Sequence, residues 1–148
     1  MKAVVQRVSE ASVSVNGDER AAIARGLVIL LCVEPDDDQA QAAFFAGKIA
    51  RMRIFADADG KLNLSILDVG GEALVISQFT LAARWRKGNR PGYSRAATPD
   101  LAKRLYENFC SRLSEHGVPV ASGVFGAQMT VRLANDGPVT IWMDSQDR

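Results

Sequence analysis

The sequence predicts a single α/β domain over residues 1–148, in which β-sheets close like a barrel over a layer of two helices (β/β/α layers). Short segments that alternate apolar and polar residues, or are continuously apolar, predict strands along most of the chain. Two stretches instead repeat apolar residues at helical spacing. The composition agrees, because 47% hydrophobic and 24% charged residues are usual for a globular protein.

The predicted strands begin near the amino terminus. Residues 4–8 and 11–15 have strand character, and Asn16-Gly17 predicts a tight hairpin turn into a return strand at 20–23. Residues 27–33 are continuously apolar, which predicts a strand buried on both faces. The remaining predicted strands, which bring the number to about eight, lie at 62–66, 72–81, 128–133 and 139–143.

Two helices are predicted. The first follows acidic residues 36–38, which suit the positive end of a helix dipole. Its buried stripe is expected to contain Ala43, Phe44, Ile49 and Met52. The second is predicted to be capped by Thr98, to start at Pro99 and to end at Gly117. Its buried face repeats every four residues at Leu101, Leu105, Phe109 and Leu113.

Several common kinds of site find no support in the sequence. Two cysteines and one histidine are too few for a zinc site, so Cys32 and Cys110 are expected to be buried free thiols. His116 is expected to lie at the end of the second helix, where its charge favours the dipole. No phosphate-binding glycine motif occurs, and no apolar run approaches the ~20 residues of a membrane helix. We expect a cytoplasmic protein with no membrane segment, metal or cofactor.

Positive charge is concentrated in residues 84–95. This segment holds five cations and no acid, with Trp85 and Tyr93 between them, although the net charge of the chain is only +1. Cations suit phosphates, and aromatic rings can stack on unpaired bases, so the pattern suggests RNA binding. A solvated basic loop is the simpler alternative.

Two short motifs complete the set of candidate sites. Residues 77–81 read Ser-Gln-Phe-Thr-Leu, and residues 135–140 read Asn-Asp-Gly-Pro-Val-Thr. Either alone predicts little. In this order and spacing, they resemble the SQxTL and NxGPxT motifs of the D-aminoacyl-tRNA deacylase family. The first strands and residues 62–65 and 117–120 resemble other segments of the same family. The resemblance covers essentially the whole chain.

The resemblance implies a homodimer that hydrolyses the ester bond of D-aminoacyl-tRNA, with active sites at the subunit interface. A cis Gly137-Pro138 dipeptide would enter the partner's pocket and exclude L-amino acids, while glycyl-tRNA would be an off-target substrate. Catalytic roles fall to Gln78, Phe79 and Thr80. Substrate-binding roles fall to Ser77, Arg7, Gly137, Pro138, Phe125, Gly126, Ala127 and Met129. The expected tRNA contacts are Arg84, Arg86, Lys87 and Arg90.

The mechanism that we expect uses backbone N–H groups near Phe79 and Thr80 and the neighbouring 2′-hydroxyl of the RNA. Thr80 as nucleophile is a weaker hypothesis, because the sequence offers no base to activate it. Two alternatives remain open at this point. The chain could be a non-catalytic tRNA- or RNA-binding module, or a hydrolase of a different aminoacyl ester, such as an L-alanyl one.

Overall fold

Eight strands and two α-helices make up most of residues 1–147, the part of the chain that the computed structural model describes. The strands are β1 (Lys2–Val15), β2 (Asp18–Ile23), β3 (Gly26–Cys32), β4 (Phe55–Ala56), β5 (Leu62–Leu64), β6 (Glu72–Ser77), β7 (Val120–Ser122) and β8 (Thr130–Asp144). The helices are α1 (Gln39–Ala50) and α2 (Pro99–Glu115). Six strands form one sheet in the order β2-β1-β3-β6-β7, with β8 also paired to β1, while β4 and β5 form a separate small ladder.

The main sheet curls because β1 and β8 are long strands that bend. The first half of β1 pairs with β3 and the second half pairs with β2. On its other edge, β1 pairs antiparallel with β8 along nearly the whole length of β1. The β1–β8 register shifts twice between Gln6 and Glu10, and such bulges bend a strand. The second half of β1 therefore packs over the sheet face away from the helices. This second core contains Val8, Ala11, Val13, Ile23, Val28, Leu74 and Ile76.

The two helices cover the other face of the sheet. Side chains of α1 and α2, including Phe45, Ile49, Leu105 and Phe109, pack against β-strand residues in the larger core. Tyr106 on α2 is buried, and its hydroxyl donates to the Val75 carbonyl of β6 at 2.8 Å. Burial raises the pKa of Tyr106 far above its usual value, so this hydroxyl remains a donor. The predicted α/β class, with a barrel-like sheet over two helices, is confirmed.

Both helices lie where they were predicted, but some predicted buried and capping residues are wrong. Asp38 caps α1 through a reciprocal capping box with Gln41, in the predicted acidic segment. The prediction that Phe44 is buried is wrong, since it is 64% exposed and Phe45 is buried instead. The buried positions follow helical spacing from Ala42, which turns Phe44 outward. α2 starts at Pro99 as predicted, and Gly117 follows it with a φ of 92°.

Thr98 is the other departure in the helices. Its side chain makes no capping hydrogen bond to α2, although it is the N-cap residue. His116 is the C-cap residue of the same helix, which confirms its predicted position at the helix end. None of the helices in residues 1–147 is long and apolar enough to cross a membrane.

Four of the predicted strands need correction, whereas the predicted hairpin does not. The hairpin at Asn16-Gly17 is confirmed, with φ angles of 53° and 87°. The strand predicted over 72–81 ends at Ser77, because its parallel partner β3 ends at Cys32 and a 3₁₀ helix (Phe79–Ala82) follows. The two strands predicted at 128–133 and 139–143 are the single strand β8. The strand predicted over 62–66 is shorter and ends at Leu64, because residues 65–68 form a turn closed by Ser65 and Asp68.

Candidate active site

A cleft of about 580 Å³ opens at the carboxyl ends of β3 and β6, the central parallel pair of the sheet. Carboxyl ends of neighbouring parallel strands are a common place for ligands in α/β proteins. The segment before α2 closes one side of the cleft, since the Ala97 N–H donates to the Val33 carbonyl at 3.0 Å. Apolar side chains from both cores form much of the wall, among them Leu31, Ile76, Ala102 and Val131.

The segment after β6 supplies the polar part of the cleft. Ser77, Gln78 and Phe79 line it, and Gln78 donates from its side-chain amide to the Thr80 hydroxyl. The Gln78 N–H makes the last ladder bond, to the Leu31 carbonyl at 2.8 Å. The chain then turns into the 3₁₀ helix, whose first N–H groups have no partner within the helix. Within residues 1–147, no protein acceptor takes the N–H of Phe79 or Thr80.

Residues 125–129 form the opposite wall. Phe125, Gly126, Ala127 and Met129 all line the cleft. The Phe125 ring lies 6.0 Å from that of Tyr106, and the Ala127 N–H donates to the Val124 carbonyl at 3.1 Å. These contacts join the wall to the larger core and to its own turn, so the wall is held by the fold of one chain.

The described residues that line the cleft include no Asp, Glu, His, Lys, Arg or Cys. Cys32 lies nearby, where its thiol contacts the Phe79 carbonyl at 3.6 Å. Burial, and then the charge of Glu34, raise the pKa of Cys32 to about 11, so its thiol is neutral at physiological pH. In residues 1–147, no three side chains of metal-ligating types lie together.

A second group of candidate residues lies outside this cleft, on β1 and β8. Arg7 is buried, donates to the Ile54 carbonyl at 2.7 Å, and forms an ion pair with Asp136 at 3.0 Å. Asp136 precedes Gly137-Pro138, whose peptide bond is cis. Both Gly137 and Pro138 are exposed. Arg7 therefore anchors the start of an exposed turn within β8.

Gly137 and Asn135 define the shape of this turn. Gly137 has a φ of 121°, and a Cβ atom there would lie 2.9 Å from the Arg7 guanidinium and 3.0 Å from the Val139 nitrogen. The Asn135 amide donates to the carbonyls of Arg7 and Val139, both at 3.0 Å. These bonds cross the turn and hold its two ends together, so the exposed dipeptide has a defined conformation.

The basic segment forms a separate pocket of about 620 Å³. Arg84, Arg86, Lys87 and Arg90 line it, together with Trp85 and Arg95. Arg84 and Gly92 exchange two backbone hydrogen bonds, of 2.7 and 3.0 Å, which close the segment into a loop. At its base, Tyr93 packs edge-on against Phe79 with ring centres 5.1 Å apart. Tyr93 lines the cleft, and its chain neighbours Gly92 and Ser94 line the basic pocket, so the basic pocket adjoins the cleft along this stretch of chain.

Comparison with known proteins matches this architecture to one family. The family model for D-Tyr-tRNA(Tyr) deacylase matches residues 4–144. The chain belongs to this deacylase family. A curated relative from Ruegeria pomeroyi, named D-aminoacyl-tRNA deacylase, is 57% identical over 144 residues, which cover 97% of this chain and 99% of the relative. Relatives with this name are hydrolases of an ester bond, and the family membership makes this chain a hydrolase of that class.

Two examples show how similar solved structures are to the chain. One, named c-Myc DNA Unwinding Element Binding Protein, has a TM-score of 0.92 and 40% identity, and the match covers 99% of this chain and all 100% of that one. The other is described as a probable eukaryotic D-amino acid tRNA deacylase. It has a TM-score of 0.85 and 18% identity, and the match covers 96% of this chain and 97% of that one, so it shows the fold.

The predicted family residues fall into three places in one deacylase chain. The cleft brings together Ser77, Gln78, Phe79, Phe125, Gly126, Ala127 and Met129. Thr80 touches it through Gln78. Arg7, Gly137 and Pro138 lie apart on β1 and β8, and the basic residues lie in the adjoining loop.

Sequence reasoning missed part of the cleft wall. Ala96, Ala97, Pro99 and Ala102 line the cleft just before and within α2. Their small side chains make room for the cavity, but alanine in this context indicates only a helix former. The sequence placed Tyr93 in the basic segment, and the structure places it on the cleft as well.

Proposed function

We propose that this chain removes D-amino acids wrongly esterified to tRNA, by hydrolysing the ester to free D-amino acid and tRNA, and that it acts as a homodimer in the cytoplasm. The family membership and the curated relatives support the reaction. The observation that carries the proposal at the level of the site is the cleft at residues 77–80, joined to a basic pocket of suitable charge for RNA.

The chemistry that we propose relies on backbone groups. Water attacks the ester carbonyl carbon, the bond to the terminal ribose oxygen breaks, and that oxygen takes a proton. We assign the developing oxyanion to the N–H groups of Phe79 and Thr80, because no protein acceptor takes them within residues 1–147 and Phe79 lines the cleft. Within residues 1–147, the lining has no charged side chain to act as general base, so we assign positioning of water to Gln78 and to the 2′-hydroxyl of the RNA.

Chiral selection in this proposal comes from Gly137-Pro138 of a second copy. This dipeptide is exposed, and hydrogen bonds of Arg7 and Asn135 fix the backbone next to it. Its backbone can therefore contact a second copy in a defined conformation. A rigid backbone placed against the substrate α-carbon would clash with an L side chain and leave room for a D side chain. Glycine has no side chain to clash, so glycyl-tRNA is expected to be hydrolysed too.

The homodimer is supported by an apolar surface on the same strand. Trp142 of β8 is 50% exposed, and its ladder neighbour Val4 pairs in turn with Leu30. All three side chains project from the sheet face opposite the helices, because residues paired across strands share a face. An exposed tryptophan beside aliphatic residues is typical of an interface centre. A second copy packed here would also approach Gly137-Pro138, four positions away along β8.

The tRNA contacts that we propose are the cations of the basic loop. Arg84, Arg86, Lys87 and Arg90 line one pocket that adjoins the cleft, so phosphates of the strand that leads to the esterified end can reach them. Such contacts give affinity and salt dependence with little sequence selection.

The decisive experiment measures hydrolysis of D-tyrosyl-tRNA, L-tyrosyl-tRNA and glycyl-tRNA in EDTA, with wild-type protein and with Pro138→Ala. We expect fast loss of the D and glycyl esters, and weaker discrimination against the L ester in Pro138→Ala. Stability of all three esters in the presence of folded dimer would overturn the proposed activity. Fast cleavage of the L ester by wild type would instead indicate a different ester specificity.

Thr80→Ala separates the two mechanisms. If backbone groups lead, kcat falls by less than about tenfold, the size usual for one auxiliary hydrogen bond. Abolished turnover with unchanged tRNA affinity and melting temperature would show instead that the Thr80 hydroxyl takes part in the chemistry. Thr80→Ser is the matched control, because it keeps the hydroxyl that accepts from Gln78.

A nucleic-acid-binding module is the second candidate function, and one observation favours it. The 40% identical solved structure is named as a DNA unwinding element binding protein, and the basic pocket suits any polyanion. A pure binding module would retard tRNA in a binding assay and protect its ester, whereas the deacylase would consume it.

A further inference from the structure

The basic loop contains an exposed aromatic side chain that contacts with tRNA phosphates leave unexplained. Trp85 is 69% exposed, the highest value among the exposed large hydrophobic side chains in residues 1–147. Its exposed ring offers a large apolar face on which a ligand can pack. The guanidinium of Arg86 lies over its ring, 5.7 Å from the centroid, which gives the indole a neighbour on the loop itself.

Charge around Trp85 points to a nucleic acid. The pocket that it lines also contains Arg84, Arg86, Lys87, Arg90 and Arg95, with no acidic residue among its lining. Among the ion pairs of residues 1–147, none includes these five cations, so their charge is available to a polyanion. A stacking ring within a positive groove is the usual arrangement for single-stranded nucleic acid.

The loop is continuous with the cleft. The Arg84–Gly92 hydrogen bonds close its base, and Tyr93 follows directly and packs on Phe79 at the cleft wall. A strand whose last nucleotide occupies the cleft therefore passes the Phe79–Tyr93 pair and reaches the Trp85 pocket with the nucleotides before it. Nucleotides in this position are unpaired at the end of an aminoacylated tRNA, so their bases have open faces for stacking.

We propose that Trp85, braced by Arg86, is a stacking surface for an unpaired nucleotide that precedes the esterified one. This proposal rests on the proposed deacylase function and adds a binding site to it. The site recognises a single-stranded RNA end through a base face and the adjoining phosphates. Because every base has a π face, the contact is tolerant of sequence and sensitive to the number of unpaired nucleotides.

The test uses one D-tyrosyl ester on three carriers: adenosine alone, the trinucleotide cytidyl-cytidyl-adenosine, and whole tRNA. In Trp85→Ala, we expect kcat/KM to fall on the order of tenfold for the trinucleotide and tRNA, with no change for adenosine. Trp85→Phe keeps a stacking ring and should retain most of the activity. Phe44→Ala, a change at an exposed aromatic residue on α1, is the matched surface control.

Each departure from this pattern has a definite meaning. An equal loss on adenosine would show that Trp85 acts on the cleft itself, and an unchanged rate on all three carriers would show that no base contacts it. Either result overturns the proposal. Melting temperatures of the variants should match that of the wild type, because Trp85 is exposed.

A binding measurement separates this proposal from the deacylase proposal. Unesterified cytidyl-cytidyl-adenosine should quench tryptophan fluorescence in the wild type, and the quench should disappear in Trp85→Phe. If the wild type hydrolysed no ester but this quench remained, the deacylase proposal would fail and the stacking site would stand. Equal quenching by heparin, a polyanion without bases, would mean that charge alone is recognised and would overturn the stacking site.

Discussion

The cleft and the Gly137-Pro138 turn differ in how they are supported. The cleft is walled by both hydrophobic cores and is complete within one chain, apart from an open mouth. The turn is exposed and polar, and it is held from behind by hydrogen bonds of Arg7 and Asn135. One region is a concave pocket, and the other is an exposed segment of β8 outside the pocket lining.

This difference shows how one small chain can bind the substrate in one region and select the chirality of the amino acid with another. Packing shapes the cleft, so the fold that stabilises the chain also builds it. The turn adds little to the core, yet hydrogen bonds from Arg7 and Asn135 define its conformation. Such a defined backbone is expected if the turn contacts a ligand that is bound by a second copy of the chain. We therefore expect changes to the two regions to complement each other across a dimer.

The largest effect is expected from mixing two inactive variants. Ala127→Trp should fill the cleft, and Gly137→Val should disrupt the turn, since φ at Gly137 is 121° and a Cβ there is crowded. Each homodimer should be inactive towards D-tyrosyl-tRNA, because the introduced Trp side chain would fill its own cleft and the displaced turn with its added Val side chain would obstruct the cleft of the partner. Mixed dimers carry one intact composite site, so a refolded equimolar mixture should regain about a quarter of the wild-type sites.

The complementation separates the two possible layouts of the site. A site built within one chain would regain no activity after mixing, because every chain carries one lesion. The control is a mixture of the two native homodimers analysed before subunit exchange, which should show no recovery.

Trp142→Glu tests the surface that we propose for the second copy. A charge at this exposed position should convert the dimer, expected at about twice the 16.0 kDa chain mass, to a monomer without D-ester activity. Phe44→Glu is the matched control, because Phe44 is exposed on α1, away from β8. Light scattering at micromolar concentration measures both; a dimeric Trp142→Glu variant would remove this face from the proposed interface.

Arg7→Met tests the support behind the turn. Loss of the guanidinium leaves the Ile54 carbonyl and the Asp136 carboxylate without their partner, at a cost of about 2–4 kcal/mol in the free energy of unfolding. Arg20→Met removes an exposed pair with Asp18 and should cost below about 0.5 kcal/mol. Urea unfolding compares the two variants, and equal costs would contradict a structural role for Arg7.

The last prediction concerns the two thiols. Burial raises the pKa of both Cys32 and Cys110 to about 11, so the thiolate fraction near pH 8 is low in the folded chain. We expect a thiol reagent to label native protein on the order of a hundredfold more slowly than unfolded protein. Fast labelling of Cys32 alone would show that the cleft wall near Phe79 opens readily.

Sequence patterns predicted the large elements well and their ends less well. α2 was correctly bounded by Pro99 and Gly117, because the fixed φ of proline and the positive φ that glycine permits act locally along the chain. The extension of β6 to residue 81 was wrong, since a strand continues only while a neighbour supplies hydrogen bonds and β3 stops at Cys32. Phe44 was placed on the wrong face because it and Phe45 are equally apolar, and only packing against the sheet distinguishes them.

For the candidate site too, residue order predicted some features and only tertiary packing decided others. The two motifs and the family were available from residue order alone, and so was the concentration of cations at 84–95. The joining of residues 77–79 to 125–129 was not, because the two segments meet only through the packing of β6 and β7 against α2. The placement of Arg7 against Asp136 likewise depends on the β1–β8 register.

The sequence by itself determined the class of the fold, the family and the identity of the polar groups in each motif. These depend on side-chain chemistry and on periodicities that are local along the chain. Only the tertiary structure decided that the described residues lining the cleft carry no charged side chain and that Gly137-Pro138 is exposed outside this lining. Both follow from non-local strand pairing and packing, in which residues more than a hundred positions apart become neighbours.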